Sequence, residues 1–134
     1  MKSILALGIL LAAPLATSPP TDAERARWTM SDMRTLATAI EAYAIDHESY
    51  PVGTSLAAIV GTIEPIYVSK APTRDAWGHD YLYTCKDGQS YTIVSTGADG
   101  IAEPASWSRP AKLDAFTEDA VLTTGRMDRT WPYR

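Results

Sequence analysis

The sequence predicts an α+β fold: a long N-terminal amphipathic helix packed on a small antiparallel sheet of three to four strands, with a long acidic loop between strands. Three observations predict it. Residues 21–47 contain no Gly or Pro and repeat apolar positions at helical spacing. Two strand-like runs, Tyr81–Cys85 and Ser90–Ser95, flank Lys86-Asp87-Gly88-Gln89, and Asp-Gly at the centre of such a link is a hairpin signal. A second pair, Ala120–Thr123 and Arg126–Trp131, flanks Thr124-Gly125. A helix followed by antiparallel strands buries its apolar stripe against the sheet. The chain has 134 residues, enough for one domain. The division is therefore 1–20 as a leader and 21–134 as the domain: helix 21–47, a helix-loop region 48–80 and a sheet 81–131.

The leader reads as a signal peptide or a short anchor. Met1-Lys2-Ser3 precedes the uncharged run Ile4–Ala16, which Thr17-Ser18-Pro19-Pro20 follows. The run is shorter than the roughly 20 residues that span a bilayer. Cleavage after Ala16 or after Ser18 each meets a proline near the bond, so the cut position stays open. No lipobox cysteine is present.

Thr21-Asp22-Ala23-Glu24 has the spacing of a capping box, which starts the helix. Trp28, Met33, Leu36, Ala37, Ile40, Tyr43 and Ala44 form its apolar stripe. About 26 residues at 1.5 Å per residue span roughly 39 Å. Tyr50-Pro51 is expected to stop it, since proline cannot continue a helix and restrains the residue before it. Leu56–Val60 reads as a short second helix ending at Gly61, Glu64–Val68 as extended, and Pro72–Gly78 as a turn region. Gly97–Thr117, with two Gly and two Pro, reads as loop.

Composition narrows the function. The formal net charge is -4 and the basic residues are scattered, so nucleic acid is not an expected partner. Arg126, Arg129 and Arg134 alternate with apolar residues and read as a solvated face. Cys85 is the one cysteine and reads as a small strand residue. His47 and His79 lack partners at metal-ligand spacing, and no nucleophile elbow or phosphate loop occurs. The expectation is a protein that is not an enzyme; a small hydrolase built on His79 and Asp80 ranks last.

The acidic loop is the one place with site chemistry. Asp99, Glu103, Asp114, Glu118 and Asp119 fall between the second and third predicted strands. Ca²⁺ takes six to eight oxygen ligands from carboxylates and carbonyls on a flexible loop. A solvated acidic loop explains the same composition, and the Asp-x-Asp-x-Asp-Gly order of an EF-hand is absent.

Asp75-Ala76-Trp77-Gly78, the aromatic strand Tyr81–Tyr83, and Ser95-Thr96-Gly97-Ala98-Asp99-Gly100 follow Asp46 and Tyr50-Pro51 in a fixed order, with Glu118-Asp119 before a late strand. In this order the chain resembles the major pseudopilins of bacterial type II secretion, over roughly Ala23 to Leu122. Ala76 stands where that family has Pro. The resemblance implies a pilin-like fold, a structural or accessory role in a pseudopilus-type export apparatus, other pseudopilins or apparatus proteins as partners with possible homo-oligomers, and a structural Ca²⁺. By resemblance the ligands are Asp99, Asp119, Glu118 and the carbonyl of Thr96. The loop is longer than the family's and contains Trp107 and Pro110, which leaves two outcomes: Asp114 replaces a ligand, or the site is lost. Trp77-Gly78 is expected to dock an aromatic on the helix–sheet junction.

The N-terminus departs from the family. Prepilins carry Gly-Phe-Thr-Leu-x-Glu before a hydrophobic helix; here neither the Gly-Phe nor the Glu stands, although Leu7–Pro14 resembles the latter half of that helix. A late start or conversion to a secretory signal would each account for it. The expected location is the periplasm or beyond, with an inner-membrane anchor facing the periplasm as the alternative. Membrane contact is then confined to the N-terminal segment. An alternative function is a stand-alone exported ligand- or surface-binding module, with Trp107, Phe116 and Trp131 as exposed anchors.

Overall fold

The computed structural model describes residues 8–132. Residues 8–19 are exposed and carry no regular structure, and residues 1–7, the start of the leader, lie outside the described residues. Among the described residues no helix is long and apolar enough to cross a membrane.

Helix α1 (Asp22–His47) begins as the capping box predicts. The Thr21 hydroxyl accepts the Glu24 N–H at 3.2 Å and the Glu24 carboxylate accepts the Thr21 N–H at 2.7 Å. It ends at residue 47, as expected, but the residue that stops it is not the one expected. Glu48 takes the left-handed conformation, φ 58, and ends the helix before Tyr50-Pro51 is reached. The Tyr50 N–H then donates to the Gly88 carbonyl at 2.9 Å, which turns the chain onto the sheet.

The buried face of α1 is Ala26, Met30, Met33, Leu36, Ala37, Ala39 and Ile40. Trp28, placed in the stripe by spacing, is 52% exposed. Ala26 and Met30 take the inward positions because they continue the three- and four-residue steps from Met33. Helix α2 (Leu56–Ile63) runs through Gly61, the expected end, and stops at Glu64-Pro65. Residues 64–67 form turns, a correction to the extended reading. The N–H groups of Tyr67 and Val68 both reach the Ile63 carbonyl, and the Glu64 carboxylate accepts the Ala71 N–H at 2.6 Å.

The sheet has five strands, not three to four. Strands β1 (Leu82–Thr84), β2 (Thr92–Ser95), β3 (Ala111–Lys112), β4 (Ala120–Thr123) and β5 (Arg126–Thr130) lie in the order β1-β2-β4-β5-β3. The β1–β2, β2–β4 and β4–β5 pairs are antiparallel, with Tyr83 opposite Ile93 and Val94 opposite Val121. The extra strand, β3, rises from the predicted loop and pairs parallel to β5, Ala111 opposite Arg129. It covers the free edge of β5, whose carbonyl at Thr130 accepts the Leu113 N–H at 3.0 Å. A register shift separates Val121 from Leu122 in β4.

The core lies between α1, α2 and one sheet face, where Tyr81, Tyr83, Cys85, Tyr91, Ile93, Leu122 and Trp131 are buried. Cys85 is a buried strand-edge residue, as read.

Candidate functional site

The candidate site is the loop between β2 and β4 together with the turn that anchors its first half. Asp75 organises the turn. Its buried carboxylate accepts the N–H groups of Trp77 and His79 through Oδ1, at 3.1 and 3.0 Å, and the Ser95 hydroxyl through Oδ2 at 2.7 Å. Gly78 closes the turn at φ 88. The Ala76 N–H donates to Thr29 Oγ1 at 3.0 Å, and the Trp77 indole N–H donates to Asp22 Oδ1 at 2.8 Å. Trp77 meets Trp131 edge to face at 5.4 Å. The turn therefore docks its aromatic between the first turns of α1 and the sheet, as expected.

His79 passes this order to the loop. Its Nδ1 lies 2.9 Å from the Gly97 carbonyl, which can only accept, so Nδ1 carries the proton. Asp80 points elsewhere, to exposed Arg74 at 3.1 Å. The two residues of the last-ranked hydrolase reading thus serve separate contacts. Gly97 packs under the Phe116 carbonyl, and the Ala98 N–H donates to that carbonyl at 2.8 Å.

The carboxylates of the expected ligand residues are engaged by separate partners. The Asp99 side chain turns back on its own loop, Oδ1 accepting the Ile101 N–H at 3.0 Å, and the residue is exposed. Glu118 is half-buried; its Oε2 accepts the N–H groups of Asp114 and Ala115 at 2.8 and 2.9 Å. Asp114 itself is exposed. Thr96 is buried. Asp119 is fully buried, and its Oδ2 accepts the Glu103 N–H at 2.6 Å and the Trp107 indole N–H at 2.7 Å. Among the described residues no three His, Cys, Asp or Glu side chains converge as a metal would need.

One observation speaks for an ion: Asp119 Oδ1 is buried with no hydrogen-bond partner. It supplies a single ligand where Ca²⁺ takes six to eight. The side chains alone gather no cluster for the ion among the described residues.

Two residues of this site escaped the sequence reading. Arg129, assigned to a solvated face, is 6% exposed. Its Nε–H donates to the Asp119 carbonyl at 3.2 Å and its Nη1–H to the Arg109 carbonyl at 3.0 Å; Nη2 lies 3.8 Å from Glu118 Oε1. Alternation could not have found it, because the register shift between Val121 and Leu122 sets Met127 opposite core Leu122 but Arg129 opposite Val121, on the other face. Arg126 is exposed as read, and Arg134 lies outside the described residues. Trp107 is the second; sequence assigned it to an exposed anchor set. It is half-buried and its indole N–H is committed to Asp119. Phe116 is half-buried too, and Trp131 is buried with its indole N–H on the Ala115 carbonyl at 3.1 Å, so these three are not exposed anchors.

A family model described as type II secretion system, protein G, matches residues 19–108. That span runs from before α1 through β2 and into the loop as far as Trp107-Ser108. No curated protein matches the chain.

Proposed function

Because the chain belongs to the type II secretion system protein G family, we propose that it acts as an exported, non-enzymatic structural or accessory subunit of a pseudopilus-type secretion apparatus. The family match over residues 19–108 carries this reading. Its domain faces the periplasm, and its partners are other subunits of the apparatus or further copies of the chain. The geometry is consistent with that role. The turn at Asp75, the histidine at His79 and the loop are spent on internal hydrogen bonds, which suits a rigid building block.

The test is deletion of the gene in a host that uses type II secretion, followed by quantification of proteins in the medium and in the periplasm. The expected result is loss of secreted proteins from the medium and their accumulation in the periplasm, restored by the wild-type gene. An unchanged distribution overturns the proposal. N-terminal sequencing of the protein from each cell fraction separates a cleaved, released form, starting near Pro19, from an anchored one.

A further inference from the structure

We propose that the loop bearing Glu118-Asp119 is held by the chain's own cation, Arg129, through the Asp119 backbone carbonyl and the Glu118 carboxylate, with the Trp107 indole on the Asp119 carboxylate, in place of a bound calcium ion. The geometry carries the exchange. One planar guanidinium reaches three parts of the long loop: the carbonyl of Arg109 before β3, the carbonyl of Asp119 before β4, and the carboxylate of Glu118. A guanidinium stays protonated and offers five N–H donors in a fixed plane, so it can bridge oxygens as a metal does.

The remaining oxygens are served by other donors. The Trp107 indole and the Glu103 amide close on Asp119 Oδ2, and two amides close on Glu118 Oε2. A divalent ion placed at the one free oxygen, Asp119 Oδ1, would share a buried neighbourhood with a guanidinium already fixed by two carbonyls. Like charges there are weakly screened. The loop's order is therefore set by the polypeptide and does not change with calcium.

The experiment compares the thermal melt of the full chain in calcium and in chelator, by circular dichroism, with Tb³⁺ as an optical probe whose emission Trp107 would sensitise. A ligand that binds the native state raises the melting temperature. The expected result is coincident melts and no sensitised Tb³⁺ emission. Arg129→Gln strands the Arg109 and Asp119 carbonyls and leaves Glu118 without its cation, and is expected to lower the melting temperature by roughly 5–15 °C in either buffer. Trp107→Phe keeps the ring and removes the donor. It should melt lower by about 3–8 °C and speed hydrogen exchange at the Glu103 amide, and it carries the test if Arg129→Gln does not fold. A wild-type melt raised by calcium, Tb³⁺ emission abolished by Asp119→Asn, or a Trp107→Phe protein that melts and exchanges as wild type would overturn the proposal.

Discussion

The Tyr91 hydroxyl donates to Glu41 Oε1 at 2.9 Å, joining α1 to the start of β2 across 50 positions of sequence. The Tyr50 hydroxyl takes the other oxygen, Oε2, at 3.1 Å, and the two phenol rings meet edge to face at 4.8 Å. One helix carboxylate thus satisfies two tyrosines, one from the hairpin and one from the segment leaving α1. Glu41→Ala strands both hydroxyls, and the one on Tyr91 is buried. The expected loss is about 2–4 kcal/mol, read as a lower urea midpoint with an unchanged slope. Glu41→Gln keeps one acceptor oxygen and should lose less.

The same tyrosines set the alkaline limit. Burial pushes the phenols of Tyr81, Tyr83 and Tyr91 well above their ordinary value of 10.0. Their native state holds the proton where the unfolded chain releases it. Stability is complete below the unfolded value and falls as pH rises beyond it. A melt series from neutral pH to above 10 should show a steady fall beginning near that value. A flat profile across the range contradicts it.

Asp32 behaves oppositely to a typical carboxylate. Burial raises its value, and the hydroxyl of Tyr81 offsets part of the rise. The native state binds the proton more tightly than the unfolded chain, so this group favours folding more at low pH and less as pH rises through the native value. Asp32→Asn should therefore melt higher than wild type at neutral pH, and the advantage should shrink as pH drops below the ordinary carboxylate range. Equal melts at neutral pH would contradict this.

Two glycines should respond with opposite sign to alanine. At Gly97, φ is 69 and an added Cβ would overlap the Phe116 carbonyl, so Gly97→Ala is expected to cost about 2 kcal/mol or more. Gly61 lies exposed inside α2 with nothing within 4 Å of an added Cβ, so Gly61→Ala should add about 0.5–1 kcal/mol. Chemical denaturation of both variants beside wild type measures each.

Elements governed by neighbouring residues were legible in the sequence. The capping box at Thr21 and Glu24, the Asp87-Gly88 link and the turn at Trp77-Gly78 each rest on contacts spanning a few positions, and the structure places all three as read. What stops α1, and where α2 ends, depend on distant contacts and were not legible. The stop at Glu48 accompanies the pull of the Gly88 carbonyl on Tyr50, and the span of α2 runs past Gly61 to the turn that Ala71 ties to Glu64.

The order of helix, turn, hairpin and Gly-Ala-Asp-Gly loop carries the family and the α+β plan, because local propensity and periodicity act within one element. The loop's chemistry belongs to the tertiary structure alone. Whether Asp119 faces an ion, water or an indole depends on Trp107 and Arg129, 12 and 10 residues away, which reach its carboxylate and its backbone carbonyl. Acidic composition signals a demand for positive partners, and only packing decides whether a metal or the chain's own N–H groups meet it.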